Sequence, residues 1–304
     1  MEKTKSGPEM NERFGEILVG TALALRGSSL LFAKIAMRTM GPFLLMGTRF
    51  FIAFAIVGII FHRKLLTVTL QELKYCASVG FFLFLSMAFE LRGLQTTTST
   101  VTAFLEGMVV VIVPMINCAL ERKLPDRLTV ITSVIAIIGV GFLTLKGDRV
   151  GFTAGELLVL GGAVWYSCST IATDRASKNC DPMNVAIYQL LFIGLFAFMG
   201  ALVFEDIRLP ESGTEWGAVL GLAIICSGVG FTLQPLGQKY ITAERAGLLT
   251  VMNPLAASAL GIIFLNERLT PSIAAGAVLI MISIFYPAWV KERESRRAAA
   301  EGDD

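Results

Sequence analysis

Residues 15–36 read GEILVGTALALRGSSLLFAKIA, and the twenty residues from Ile17 to Ala36 form a predominantly apolar run. A helix that crosses ~30 Å of hydrocarbon needs about 20 such residues, so this stretch predicts a transmembrane helix. Arg26 is the tenth residue of the run, near the depth of the bilayer centre. An arginine at that depth costs about 2.5–3.5 kcal/mol on insertion scales, and it tends to face protein or water rather than lipid. Arg26 is therefore the first candidate functional residue.

The composition of the whole chain is typical of an integral membrane protein. Of its 304 residues, 54% are apolar and only 16% are charged, whereas soluble domains contain about 25% charged residues. The net charge of +2 argues against nucleic acid as a partner. The five cysteines are scattered without CxxC or Cys/His spacing, so neither a disulfide framework nor a metal site is expected. No motif calls for a cofactor.

Several further apolar stretches are as long as the first. Together they predict ten transmembrane helices, near residues 17–36, 42–61, 75–94, 97–120, 128–146, 155–175, 184–204, 216–236, 246–265 and 272–290. The loops on one side of this arrangement hold more than twice as many lysines and arginines as those on the other. By the positive-inside rule, both termini are predicted to be cytoplasmic in a multi-pass protein of the cell membrane.

The chain also repeats itself at an offset of about 140 residues. GEILV at 15–19 returns as GELLV at 155–159, the same offset aligns Pro42 with Pro182, and Glu121-Arg122 returns as Glu267-Arg268. Each copy holds five predicted spans, an odd number, so the second copy must run inverted. Inverted repeats place a site near the midplane that is reached alternately from either side.

The predicted fold class is therefore an all-α integral membrane protein of two inverted five-helix repeats. The predicted units are a cytoplasmic tail at 1–14, the first repeat at 15–148, the second repeat at 149–290 and a charged cytoplasmic tail at 291–304.

Short motifs in both halves carry a family resemblance. They are Leu25-Arg26-Gly27-Ser28-Ser29 with Lys34-Ile35-Ala36, Pro42 with Arg49, Gly93-Leu94-Gln95-Thr96-Thr97, Gly155-Glu156-Leu157-Leu158, Asn253-Pro254 and Asn266-Glu267-Arg268-Leu269-Thr270. With them, residues 15–290 resemble the drug/metabolite transporter superfamily, specifically its EamA-type ten-helix carriers. The resemblance implies a secondary carrier, often an exporter of amino acids, metabolites or drugs. Two departures concern Arg26, where family members often have tryptophan, and Asn253-Pro254, where many have Glu-Pro.

Arg26 and Glu106 are two opposite charges at similar depth in different apolar runs. Arg26 fits the carboxylate of a substrate, and the alternative is a structural pair with Glu106. Glu106 is also a candidate for a coupling proton, because burial favours the neutral acid whereas an adjacent arginine favours the carboxylate.

Other candidate substrate-binding residues are uncharged. They are Ser28, Ser29, Trp165, Tyr166, Gln234 and Asn253. Trp165 and Tyr166 align with Leu25 and Arg26 in the repeat, where they form either an aromatic wall of the pocket or ordinary helix contacts. A structural polar role is expected for Arg49 and its repeat counterpart Gln189, and an interfacial place for Glu90.

These features favour a secondary transporter, with export the expected direction, for small metabolites such as amino acids or other carboxylates. The expected partners are a small-molecule substrate, membrane lipid and a coupling ion or proton. The alternative is a flippase of the same fold for lipids or lipid-linked precursors. An intramembrane enzyme is disfavoured, because the chain lacks Asp-rich and HExxH motifs and Ser28-Ser29 has no nearby histidine base.

Overall fold

The computed structural model describes residues 8–65, 68–143, 152–250, 252–265 and 270–301. Within these residues the chain is helical and contains no strand. The helices are α1 (Pro8–Gly27), α2 (Ser29–Ala36), α3 (Pro42–Ile60), α4 (His62–Leu65), α5 (Leu70–Leu94), α6 (Ser99–Glu106), α7 (Val109–Glu121), α8 (Arg127–Leu143), α9 (Ala154–Asn179), α10 (Pro182–Phe204), α11 (Gly213–Gly221), a π-helical stretch (Leu222–Gly230), α12 (Phe231–Gln238), α13 (Ala243–Leu249), α14 (Met252–Leu265) and α15 (Pro271–Glu301).

Seven helical segments among the described residues are long and apolar enough to cross a membrane. They are Asn11–Ala36, Pro42–Ile60, Leu70–Leu94, Ser99–Glu121, Pro182–Phe204, Gly213–Gln238 and Arg245–Leu265. Shorter apolar helices cover Arg127–Phe142 and Pro271–Ser283. The prediction of an all-helical protein with several membrane spans is therefore confirmed.

Some features of the sequence analysis lie outside the described residues. These are the Asn266-Glu267-Arg268-Leu269 part of the last motif, the loop lysine and arginine at 146 and 149, the boundary at 148–149, residues 1–7 and residues 302–304.

Prolines and N-terminal capping residues determine where several helices begin. Proline at the first position starts α3 and α10, where its missing N–H costs nothing. Thr69 with Glu72, Thr153 with Glu156 and Ser212 with Glu215 form capping boxes at the starts of α5, α9 and α11.

The antiparallel helices α3 and α10 pack along each other and are tied at both ends. Lys64, after α3, pairs with Asp181, before α10. At the other end, the Glu205 carboxylate accepts hydrogen bonds of 2.9 Å from the backbone amides of Phe43 and Leu44. We call these the Asp181 end and the Glu205 end of the molecule. Because both ends are held, α3 and α10 form one unit.

The charge of Asp181 is favoured by its surroundings. Partial burial raises the pKa of this carboxyl, but hydrogen bonds from the Lys64 ammonium and the Met183 amide outweigh burial, so the pKa is lowered overall.

Two helix crossings depend on glycine. A Cβ atom at Gly15 of α1 would lie 2.8 Å from the carbonyl oxygen of Gly237 of α12. A Cβ atom at Gly93 of α5 would lie 2.6 Å from the carbonyl oxygen of Gly155 of α9. Small residues allow such close approach between helices in a membrane. Since Gly15 and Gly155 occupy the same position of the repeat, the two crossings are equivalent.

We expect Gly93→Ala to destabilise the protein, because the new methyl group would push α5 away from α9. Overpacking of this kind typically costs about 1–3 kcal/mol, and a lower thermal unfolding temperature of the purified protein in detergent would report it. Gly20→Ala in α1 is the control, because a Cβ atom there meets nothing within 4 Å. Equal unfolding temperatures for the two variants would contradict the close crossing.

Candidate functional site

Interruptions in three helical segments surround the polar residues of the membrane interior. The first segment breaks at Ser28, between α1 and α2, and another breaks between α6 and α7, after Glu106. A third break lies at Thr250, where α13 ends. Pro254 contributes to it, since a proline has no N–H to bond the carbonyl four residues earlier. Interrupted helices in corresponding positions of two halves are typical of transporter sites.

Arg26 lies beside the first break and is held by residues of α9 and α12. Its Nη1 atom donates to the hydroxyl oxygen of Tyr166 at 2.8 Å and to Oε1 of Gln234 at 2.7 Å. The guanidinium carbon lies 4.0 Å from the centre of the Phe231 ring, within cation–π range. The side chain is buried. Protein groups therefore replace the water that the charge would otherwise bind.

Glu106 and Asn253 meet between the other two breaks. The Glu106 Oε2 atom accepts a hydrogen bond of 3.0 Å from Nδ2 of Asn253. The Glu106 Oε1 atom is buried and has no hydrogen-bond partner among the described residues. The carboxyl group of Glu90, on α5, lies close enough to interact with Glu106 electrostatically.

The interfacial place expected for Glu90 stays a prediction. Glu90 is half-buried and shares one face of α5 with Ser86 and Gly93, and this face packs against α9. Small residues at i−4 and i+3 around a glutamate are the sequence signal that marks such a packed face.

Arg26 and Glu106 do not form a direct pair. Within the described part of the chain, the hydrogen-bond acceptors of the Arg26 guanidinium are Tyr166 and Gln234. Arg26 still lies close enough to Glu90 and Glu106 to interact with them electrostatically. The structural-pair alternative of the sequence analysis is therefore not what this structure contains.

Arg49 and Gln189 lie next to this site. Arg49 is 1% exposed, donates from Nη2 to the sulfur of Met87 at 3.3 Å and leaves Nε without an acceptor. Gln189 donates from Nε2 to the carbonyl oxygen of Phe231 at 2.6 Å. Pro235 leaves that carbonyl without its usual helical partner. Gln189 therefore satisfies a broken turn of α12.

Three predicted site residues lie apart from Arg26. The Trp165 ring stacks on Phe82, with centroids 6.1 Å apart, rather than facing the guanidinium. Ser28 bonds locally, from Oγ to the carbonyl oxygen of Leu25 at 2.8 Å, and contacts the sulfur of Cys226 at 3.3 Å. Ser29 is half-buried at the start of α2. Of the aromatic pair, the structure brings only Tyr166 to Arg26.

A cavity of about 260 Å³ runs along α7 and α8 from the Asp181 end. Its lining extends from Lys123 and Asp126 at the mouth to Val110, about one helical turn from Glu106. A second cavity, of about 320 Å³, lies between α5, α7 and α9, and its lining includes Phe82 and Arg175.

Among the described residues, no group of three or more His, Cys, Asp or Glu side chains is placed to hold a metal ion.

The matching family model and the named relatives are all transporters. The family model described as the EamA-like transporter family matches the chain twice, over residues 13–145 and 153–287. An uncharacterised transporter of Archaeoglobus fulgidus is 26% identical over 93% of this chain and 88% of its own length. The threonine/homoserine exporter RhtA of Escherichia coli is 29% identical over 48% of this chain and 50% of its own. A biotin transporter of Salmonella typhimurium is 24% identical over 55% and 58%, respectively.

A solved crystal structure shares the fold. It superposes with a TM-score of 0.69 at 20% identity, over 92% of this chain and 98% of its own.

We expect Tyr166→Phe to lower the stability of the protein without unfolding it, because the Arg26 guanidinium loses one of its two hydrogen-bond acceptors. Bonds to charged groups contribute about 1.5–3 kcal/mol, and chemical or thermal unfolding in detergent measures the loss. Tyr240→Phe is the matched control, since this tyrosine is 40% exposed. If both variants unfold like the wild type, the bond between Arg26 and Tyr166 does not stabilise the fold.

Proposed function

The chain is a membrane transporter of the EamA-like transporter family, and we propose that it is a secondary carrier that exports small carboxylates, amino acids in particular. The observation that carries the proposal is the buried Arg26, a positive charge in the membrane interior whose hydrogen-bond acceptors among the described residues, Tyr166 and Gln234, are uncharged. A substrate carboxylate would supply the missing negative charge, and a guanidinium binds carboxylates through two parallel hydrogen bonds.

The proposed substrate-binding residues surround this charge. They are Arg26, Glu106, Tyr166, Gln234 and Asn253, with Ser28, Ser29 and Trp165 as more distant members, while Arg49 and Gln189 hold the helices around them. When a carboxylate arrives, Tyr166 and Gln234 are the groups that it would displace from the guanidinium, and both are able to bind the rest of the substrate.

The names of the relatives support both the substrate class and the direction. One relative is named a threonine/homoserine exporter and another a biotin transporter, and all three of these molecules carry a carboxylate. Relatives that are named as transporters of small molecules imply a small-molecule substrate for this chain. The membrane lipid would cover the exposed apolar side chains. Relatives named as transporters also favour a carrier over an enzyme.

We further propose ten membrane-spanning helices in two inverted repeats, at residues 15–148 and 149–290, between tails at 1–14 and 291–304. Two matches to the same family model support this division, as do the equivalent glycine crossings of α1 with α12 and of α5 with α9. The bond between Arg26 and Tyr166 joins residues 140 positions apart, which is the offset of the repeat. Equivalent residues touch only if they lie near the axis that relates the two halves.

Alternating access then follows from the architecture. The cavity along α7 opens at the Asp181 end, which the positive-inside rule assigns to the cytoplasm of a cell membrane protein. A substrate would enter from there, reach Arg26 and leave at the Glu205 end after the halves rock against each other. No ATP-binding motif occurs in the sequence, so an ion gradient, exchange or downhill flux would supply the energy.

A flippase for lipids or lipid-linked precursors is the second candidate. The cavity between α5, α7 and α9 favours it, because apolar side chains such as Phe82 and Ile116 line the cavity and Arg175 lies beside them. An anionic lipid headgroup would bind Arg175 there rather than Arg26.

Ligand-induced thermal stabilisation of the purified protein tests the proposal, because a ligand of the native state stabilises it by mass action. Amino acids and other carboxylates, L-threonine among them, are expected to raise the unfolding temperature of the wild type. Arg26→Gln should weaken their binding about 10- to 100-fold, the equivalent of a lost charged hydrogen bond. Arg208→Gln, at a 71% exposed side chain, should bind like the wild type.

Stabilisation that is equal in Arg26→Gln and Arg208→Gln would contradict the assigned site. If anionic lipids stabilise the protein and water-soluble carboxylates do not, the result would favour a flippase over a carboxylate carrier.

The proposed orientation has its own test. A cysteine at Asp206, which is 92% exposed at the Glu205 end, should react in intact cells with a thiol reagent that cannot cross membranes. A cysteine at Lys123, at the Asp181 end, should react only after the membrane is opened. The reverse pattern would place the termini outside the cell.

A further inference from the structure

A groove runs between α5, α7 and α9, and we call it the lateral groove. Two cavities of about 320 Å³ and about 380 Å³ form it, and both are lined by Tyr75 and Ser78. On each helix the lining residues are spaced so that they share one face. They are Lys74, Ser78 and Phe82 of α5, Ile116 and Leu120 of α7, and Cys168, Ile171, Ala172 and Arg175 of α9.

The lateral groove begins at the Asp181 end and stops inside the membrane span. Lys74 lies in the second turn of α5, whose Glu72 accepts a hydrogen bond from the backbone amide of Asp181. Phe82 follows Lys74 by eight residues, which is about 12 Å along a helix. One leaflet contributes about 15 Å of hydrocarbon. The groove therefore reaches about as deep as one leaflet.

The inner part of the lateral groove fits an apolar chain. Leu120 lies at its edge and is 56% exposed. The Trp165 ring stacks on Phe82 at the inner end, with centroids 6.1 Å apart. The Ser78 hydroxyl donates to the carbonyl oxygen of Tyr75 at 2.8 Å, so its proton is already used within α5. Apolar surface that faces lipid in this way takes up acyl chains rather than polar solutes.

The mouth of the lateral groove is positively charged. The antiparallel contact of α5 with α9 brings Ser86 to Gly162 and Gly93 to Gly155, and this register places Lys74 level with residues 174 and 175. Lys74 and Arg175 are both exposed. They therefore lie close together in depth, near the place where phospholipid headgroups begin.

Acidic side chains do not neutralise these two cations in the part of the chain that the structure describes. The carboxylates of Asp174 and Glu121 pair with neighbouring lysines at 2.7 and 2.8 Å, and Glu72 caps the start of α5. Lys74 and Arg175 are thus left to attract an anion at headgroup depth. Basic pockets between transmembrane helices bind anionic headgroups in this way.

We propose that the lateral groove holds an anionic phospholipid of the leaflet at the Asp181 end as a resident ligand. Its phosphate lies between Lys74 and Arg175, and one acyl chain lies along the groove as far as Phe82. The lining ends there, about one leaflet deep, so the lipid stays in its leaflet and is not cargo. Its binding is independent of the substrate that Arg26 binds.

Quenching of Trp165 fluorescence by brominated lipid tests the site, because bromine on an acyl chain quenches a tryptophan only at close range. The chain has three tryptophans, so Trp216→Phe/Trp289→Phe leaves Trp165 alone. In phosphatidylcholine vesicles, brominated phosphatidylglycerol should quench Trp165 more than the same fraction of brominated phosphatidylcholine does. Equal quenching by the two lipids overturns the proposal.

The charged mouth has a matched pair of variants in the same background. Lys74→Gln/Arg175→Gln should weaken the apparent affinity for phosphatidylglycerol about 25-fold, since each cation near a headgroup contributes about a factor of five. Arg127→Gln/Lys239→Gln removes the same charge at the Asp181 end from exposed residues outside the groove, and it should bind like the parent protein. Equal losses in both double variants would mean general surface attraction and overturn the site.

The acyl chain has a second pair of variants that leaves the charge unchanged. Ala172→Phe fills the lateral groove and should abolish the extra quenching by phosphatidylglycerol, whereas Ala119→Phe, at an exposed position of α7 outside the lining, should retain it. Unfolding temperatures check that both variants fold. Extra quenching that survives in Ala172→Phe overturns the placement of the chain in the groove.

Transbilayer movement of labelled phosphatidylglycerol separates a resident lipid from cargo. Vesicles that contain the protein should move this lipid between leaflets no faster than vesicles without it. Faster movement that Lys74→Gln/Arg175→Gln abolishes would make the lipid the cargo of a flippase, and the resident site would then be wrong.

Discussion

A positive charge inside a membrane must be satisfied by the protein, and Arg26 imposes this constraint on everything around it. Hydrocarbon offers no hydrogen-bond acceptor, so each acceptor has to come from another helix. Tyr166 of α9 and Gln234 of α12 provide these acceptors, and the Phe231 ring covers the guanidinium. Because all three partners belong to the second half of the chain, one side chain holds the two halves together.

The helices around this charge are positioned by the same requirement. Each place where a helix breaks frees backbone groups that need partners, and the breaks lie beside polar side chains. Gln189 donates a hydrogen bond to the Phe231 carbonyl oxygen, which Pro235 leaves without a helical partner. The Ser28 hydroxyl donates to the carbonyl oxygen of Leu25. Close crossings at Gly93 and Gly15 bring the helices near enough for such contacts. The pair of α3 and α10 is tied at both ends, by Lys64 with Asp181 and by Glu205 with the amides of Phe43 and Leu44.

The sequence predicted the helical membrane fold and the family, because runs of about 20 apolar residues and repeated motifs are local signals. The repeat offset also placed Tyr166 opposite Arg26. It placed Trp165 just as close, and alignment alone did not separate the two, because neighbouring residues on a helix point about 100° apart. The closeness of Glu90 to Glu106 was not predicted, since Glu90 was judged from its place in the run and not from the helix face that it shares with Ser86 and Gly93. The π-helical stretch in the eighth predicted span has no simple sequence signature, because it depends on packing against α1 and α3.

We propose that the site around Arg26 opens in turn towards the two ends of the molecule. Spin labels at Thr129 and Leu248 report the width of the cavity at the Asp181 end, and labels at Arg38 and Thr98 report the Glu205 end. Pulsed electron paramagnetic resonance in lipid, with and without a stabilising carboxylate, measures the distance within each pair of labels. We expect one distance to shorten as the other lengthens. Two distances that stay constant, or that change together, would contradict it.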